Sequence, residues 1–157
     1  MRSVIGFSLT LALALGLTLT AAPTRAEDVT GQGKKFAGTY KIASGKAGLK
    51  EVSEEHLNGK VVVTEDTMTT YDKEHKEVYV LKYALEGKSD LAQTVVMTVT
   101  KSSRPEAVGM KAWGLIQADG ESKLKLIYDF KGKSYPTDFT PKNEGQNMFV
   151  LERVSGK

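Results

Sequence analysis

Two histidines, His56 and His75, and no cysteine among 157 residues bound the chemistry open to this chain. A zinc site of three histidines is impossible, and so are disulfides, cysteine-ligated metals and a thiol nucleophile. A hydrolytic triad would need one of the two histidines in a cleft beside a nucleophile. His75 has Asp72, Glu74 and Glu77 around it, which together would offer hard and borderline ligands. Strand alternation sends His75 and Glu77 to one face and Glu74 to the other, so this charge run reads as a solvated turn and not as a metal site. His56, beside Glu54 and Glu55, reads as a surface residue. Ser122-Lys123-Leu124-Lys125 matches Ser-x-x-Lys, but 10 serines and 18 lysines in 157 residues produce about one such match by chance, and this one falls in a predicted strand. There is no Gly-x-Ser-x-Gly, phosphate loop or dinucleotide fingerprint. The reading is non-enzymatic, with no metal and no cofactor.

The aromatic residues carry the better hypothesis. Tyr40, Tyr79, Tyr83, Trp113, Phe139 and Phe149 are candidates to line an apolar pocket with a few phenolic hydroxyls to orient a small hydrophobic ligand. The same rings bury about 150–250 Å² each, and six of them pointing inward would also serve to fill a narrow core. Trp113 competes with Ala112, Gly114 and Ile116 for the inward face of its strand.

What positions these rings is a succession of short strands. Apolar residues recur with period two far more often than with period 3.6, and Asn58-Gly59, Asp119-Gly120, Lys131-Gly132 and Glu144-Gly145 punctuate them as hairpin signals. Strands are predicted over 36–43, 60–64, 67–71, 77–85, 94–100, 111–117, 123–129 and 147–154, with one short helical turn over 50–57 that Ser53 is placed to cap. Asp119-Gly120 is expected to form a two-residue turn with positive φ at both positions. Phe36, Gly38, Tyr40 and Ile42 share one face, as do Tyr79, Leu81, Tyr83 and Leu85, and Val95, Met97 and Val99. Eight one-sided strands without crossover helices form an all-β antiparallel meander. Closing it into a barrel buries every apolar face and removes the edges. A β-sandwich is the runner-up. An eight-stranded barrel is just wide enough either to be filled by its own side chains or to hold one small ligand.

Gly38-Thr39-Tyr40 at the start of the first strand and Leu151-Glu152-Arg153 at the end of the last resemble the lipocalin-like barrels, where an aromatic ring and an arginine meet and close one end. With Leu57, Gly59, Lys60, Leu124-Lys125-Leu126 and Tyr135-Pro136-Thr137-Asp138-Phe139, the chain from about 35 to 154 resembles a small exported lipocalin-like domain of unknown function abundant in planctomycete bacteria. Where that family carries Gly-Thr-Trp and Arg-Pro, this chain has Tyr40 and Tyr135-Pro136. The resemblance implies a barrel over 35–154, export, and a barrel closure built from Gly38, Tyr40 and Arg153. For activity it implies nothing.

Export has its own signature. Arg2 precedes an uncharged stretch over 4–20, and Thr24-Arg25-Ala26 places small residues at −3 and −1 of a cleavage site, so 1–26 read as a signal peptide. The rival, a membrane anchor, sits at the short end of what spans a bilayer. Without a cysteine to acylate, a lipoprotein anchor is excluded. Cleavage after Ala26 leaves 131 of 157 residues, one domain, preceded by a polar flexible segment over 27–34. Of 22 basic residues Arg2 and Arg25 are lost with the signal, leaving 20 against 19 acidic and a net charge of +1. Interspersed charges of this kind make no phosphate-tracking stripe, so nucleic acid is not an expected partner. The expected location is periplasmic or secreted, with no stable membrane insertion after cleavage. Two functions stand: a barrel that binds a small hydrophobic ligand, or a solid barrel acting as a structural or interaction module against another exported protein or the envelope.

Overall fold

Alternation in the strands is strict enough to see in burial alone. In the strand Gln93–Ser102 every second residue from Gln93 to Val99 is buried, and in Lys123–Asp129 lysines alternate with Leu124 and Leu126. The computed structural model describes residues 32–88 and 92–154, so the expected signal peptide and residues 27–31 lie outside the described residues. Nine strands follow: β1 (Gly38–Ala47), β2 (Lys50–Glu51), β3 (Lys60–Val63), β4 (Thr67–Tyr71), β5 (Glu77–Lys88), β6 (Gln93–Ser102), β7 (Lys111–Asp119), β8 (Lys123–Asp129) and β9 (Gln146–Arg153).

Neighbours pair antiparallel in chain order, and β9 returns to β1 from Tyr40↔Arg153 to Ala47↔Asn147. The eight longer strands thereby close an all-β barrel with a lipocalin-like course, and no sheet edge is left along most of its height. β2 is a two-residue addition that pairs Lys46↔Glu51 beside the upper half of β1. Register shifts at Ile42/Ser44, Thr70/Tyr71, Val80/Leu81 and Leu85/Gly87 are the bulges that bend long strands around the closure.

Three local readings differ from the structure. Phe36, expected to open the first strand, instead ends a 3-10 helix (Gln32–Phe36), and residues 32–34 belong to that helix and not to a flexible segment. Lys50 and Glu51, expected in a helical turn, are β2; the turn is a single one in which the amides of His56 and Leu57 donate to the Ser53 carbonyl. Asp119 pairs with Lys123, so the β7–β8 turn has three residues and not two, and positive φ occurs at Gly120 (68°) only. Among the described residues no helix is long and apolar enough to cross a membrane.

The barrel has unlike ends. At the lower end, where β1 begins and β9 finishes, the 3-10 helix lies across the opening and buries Phe36. At the upper end the strand tips stand apart around a recess. Outside the wall lies a second, smaller apolar contact. Leu115 and Ile127 are register partners on β7 and β8, face away from the lumen, and are still only 1% and 0% exposed. The long connection over 130–145 crosses this outer face: it leaves β8, its Tyr135 hydroxyl donates to the Glu86 carboxylate on β5, and it returns to β9. Its first turn is held by Asp129, whose Oδ1 accepts the amides of Lys131 (2.8 Å) and Gly132 (2.7 Å). Burial pushes the Asp129 carboxyl up, but those amides, with Asn143 and Gln146, outweigh it and hold the group below its ordinary value.

Candidate functional site

The lower end is sealed by hydrogen bonds that converge on tyrosine and arginine. The Arg153 guanidinium lies 5.0 Å from the Tyr40 ring centroid, donates from Nη2 to the Tyr40 hydroxyl at 2.8 Å, and donates from Nη1 to the Ala37 carbonyl at 2.9 Å. The Tyr40 hydroxyl in turn donates to the Phe36 carbonyl at 2.8 Å. Gly38 makes room: a Cβ there would stand 2.3 Å from Arg153 Nη1. The 3-10 helix is seated as closely on the β3–β4 turn, where a Cβ on Gly33 would lie 1.9 Å from the Glu65 carbonyl oxygen. Tyr83 completes the seal by donating to the Thr64 carbonyl at 2.7 Å, and Gln93 Nε2 donates to Gln32 Oε1 at 2.8 Å. Burial pushes the Tyr83 phenol up to about 12, with Asp66, Tyr40 and Glu65 adding in the same direction. Tyr40 is raised by burial in spite of Arg153, which pulls it down.

This closure is testable as a coupled pair. Tyr40→Phe keeps the ring and removes a hydroxyl that makes two hydrogen bonds, so urea unfolding is expected to show a loss of about 1–2 kcal/mol. Arg153→Met removes the charge and its bond to Ala37 and is expected to cost about 2–3 kcal/mol. The double variant should lose less than the sum by about 1 kcal/mol, because one contact is shared. Strict additivity would mean that the two side chains do not act as one closure.

Above the seal the barrel is hollow. A chamber of about 800 Å³ opens at the upper end and runs down between the walls. Its depth is lined by Val61, Met68, Leu81, Met97, Leu126 and Leu151, and its upper part by Ile42, Tyr71, Tyr79, Tyr128 and Phe149. Polar residues ring the mouth, among them Ser53, His56, Asp72, Lys73 and Arg104. His56 Nδ1 is 2.8 Å from the Ser53 hydroxyl. His75 stands apart at φ 62°, in a turn where Asp72 Oδ1 accepts the amides of Glu74 and Lys76. Among the described residues no three His, Cys, Asp or Glu side chains gather as a metal site would require.

Glycines stand opposite two of the large rings. Gly45 is the register partner of Phe149, and a Cβ on it would come within 2.8 Å of Phe149 Cδ1. Gly114 is the partner of Tyr128, and a Cβ there would come within 3.0 Å of the Tyr128 Cβ. The Phe149 ring therefore lies over the bare Gly45, whereas Gly114 lets β7 and β8 approach closely at Tyr128. Phe149 stacks on Tyr128 at 6.1 Å, making one aromatic side of the upper chamber, and Phe130 backs Tyr128 edge-on at 5.1 Å.

Of the six aromatic candidates the chamber brings together two, Tyr79 and Phe149. Tyr40 and Tyr83 belong to the sealed end, where their hydroxyls are spent on backbone carbonyls. Trp113 is not on the chamber wall: it pairs with Val96 and Asp129 on the outward rows, because Ala112, Gly114 and Ile116 take the inward face. Phe139 is half-buried on the outer connection and does not reach the lumen. Sequence reasoning missed Tyr128 and Tyr71. The alternation of Tyr128 with Leu124 and Leu126 along β8 is the signal that could have found it.

Fold, seal and chamber together define a lipocalin-like barrel that is plugged at one end and open at the other. No family model, curated protein or solved structure matches the chain.

Proposed function

We propose that the protein is a non-enzymatic, exported binding protein that takes a small hydrophobic molecule into its barrel. The observation that carries this reading is the recess of about 800 Å³ at the upper end, whose depth is lined by aliphatic, methionine and aromatic side chains and whose mouth is ringed by polar and charged ones. Ligand sites begin at about 300 Å³ and are mostly apolar with a few placed polar groups. A barrel filled by its own rings would leave no such space, and here the Phe149 ring lies over Gly45 at the wall.

The export half of the proposal rests on residues 1–26: a signal peptide cleaved after Ala26 would deliver the barrel to the periplasm or the medium. Kinship with the exported lipocalin-like domains of planctomycete bacteria is part of the same proposal, supported by Gly38-Thr39-Tyr40 and Leu151-Glu152-Arg153. Native mass spectrometry of the protein purified from the periplasm of its own cells is the test. The expected result is an added mass that is non-covalent and lost on denaturation. A bare mass, together with no binding of an apolar fluorophore such as N-phenylnaphthylamine, would leave the barrel as an interaction module.

A further inference from the structure

Three tyrosines line the upper chamber, Tyr71, Tyr79 and Tyr128; Tyr79 and Tyr128 do so from inward strand positions, on β5 and β8 respectively, and neither of their hydroxyls has a hydrogen-bond partner among the described residues. This sets them apart from Tyr40 and Tyr83, whose hydroxyls are satisfied by backbone carbonyls in the seal. Around them the wall is Phe149, Met97 and Leu126, with Phe130 packed edge-on against Tyr128; a hydroxyl beside the pair, that of Thr70, the register partner of Tyr79, is itself buried without a hydrogen-bond partner among the described residues.

Resting on the binding function proposed above, we infer that the Tyr79 and Tyr128 hydroxyls are the polar recognition point of the chamber, and that its ligand is an apolar molecule carrying a carbonyl oxygen. In the open chamber these hydroxyls face solvent, and a ligand that displaces that water must take their protons, which a hydrogen bond to the phenol oxygen alone would leave unpaired. One carbonyl oxygen has two lone pairs and can take both protons at once. Burial, and then Tyr79, raise the Tyr128 phenol, so it remains a donor across the physiological range. The carbonyl belongs to a ketone or ester, or to a carboxylate, whose charge Arg104 at the mouth is placed to meet. Aliphatic depth below the pair, at Met68, Leu81 and Leu151, takes the hydrocarbon part.

The test is competition against N-phenylnaphthylamine bound to the folded protein, using methyl hexyl ketone, octanoate and octane as probes. Tyr79→Phe/Tyr128→Phe keeps both rings and removes both donors. In that double variant the ketone is expected to weaken at least about tenfold relative to wild type, while octane and the fluorophore stay within about twofold. Each single variant should lose part of the tenfold, which guards against a double variant that folds poorly. A ligand of the acid type would show the same loss with octanoate, together with a further loss in Arg104→Met. Unchanged ketone and octanoate affinities in the double variant, or an equal loss for octane, would overturn the inference while leaving the chamber as a binding site. Failure of the fluorophore to bind the wild type would instead remove the binding function and this inference with it.

Discussion

Replacing Phe36 with alanine is expected to cost about 3–5 kcal/mol and to loosen the sealed end of the barrel. A five-residue 3-10 helix has no stability of its own, since short helices repay too few hydrogen bonds for the dihedrals they fix. It stays on the barrel because Phe36, 1% exposed, is packed among core side chains and because its carbonyl receives the Tyr40 hydroxyl. Truncation removes the packing and leaves the helix attached by its polar contacts alone. Urea unfolding measures the first consequence. Faster amide exchange at Tyr40 and Arg153, whose side chains depend on the helix position, measures the second. A cost below about 1 kcal/mol, with exchange unchanged, would mean that the helix is an ornament on a barrel closed by other means.

The strands were legible because a wall with one wet and one dry face must alternate, and β6 and β8 alternate with little interruption. Tyr40 and Arg153 were legible for the same reason, since the in-phase apolar neighbours of each point it inward at the end of a strand. Phe36 misled because it continues the phase of Gly38 and Tyr40; only the buried seat of Gly33 against the Glu65 carbonyl shows that the chain has already turned across the barrel. Trp113 was undecidable along its own strand. The choice is made by the neighbouring one, where Val95 and Met97 pair with Gly114 and Ala112 and draw the small residues inward. Phe139 sits on a connection without alternation, so nothing local could say that it lies outside the wall.

The hollow interior was beyond reach for a different reason: it depends on which glycine faces which ring. Gly45 opposite Phe149 and Gly114 opposite Tyr128 are matters of register between strands far apart in sequence. Composition counts the aromatic volume correctly but cannot say where it leans. With a β-branched residue in place of Gly45, the Phe149 ring would have to move off the wall and into the lumen.

Alkaline conditions are expected to unfold this barrel well before they harm one sealed by aliphatic residues. In the unfolded chain the Tyr83 phenol ionises near 10.0, whereas in the fold burial, together with Asp66, Tyr40 and Glu65, holds its proton to about 12. Between those values the unfolded state has released a proton that the folded state keeps, so stability is fully present below about pH 10 and falls as the pH rises. A two-unit displacement corresponds to about 2–3 kcal/mol by pH 12, and Tyr83 is only 6% exposed, so solvent screening does little to reduce it. Tyr40 and Tyr128 are displaced in the same direction and steepen the fall. Tyr83→Phe separates the contributions. At neutral pH it loses the bond to the Thr64 carbonyl, about 1 kcal/mol, yet between pH 10 and 12 its stability should decline less steeply than that of the wild type. Urea midpoints taken from pH 8 to about 11.5 test both statements: a flat wild-type profile, or one with the same slope in Tyr83→Phe, would show that the buried phenol at the seal does not hold its proton as the structure requires.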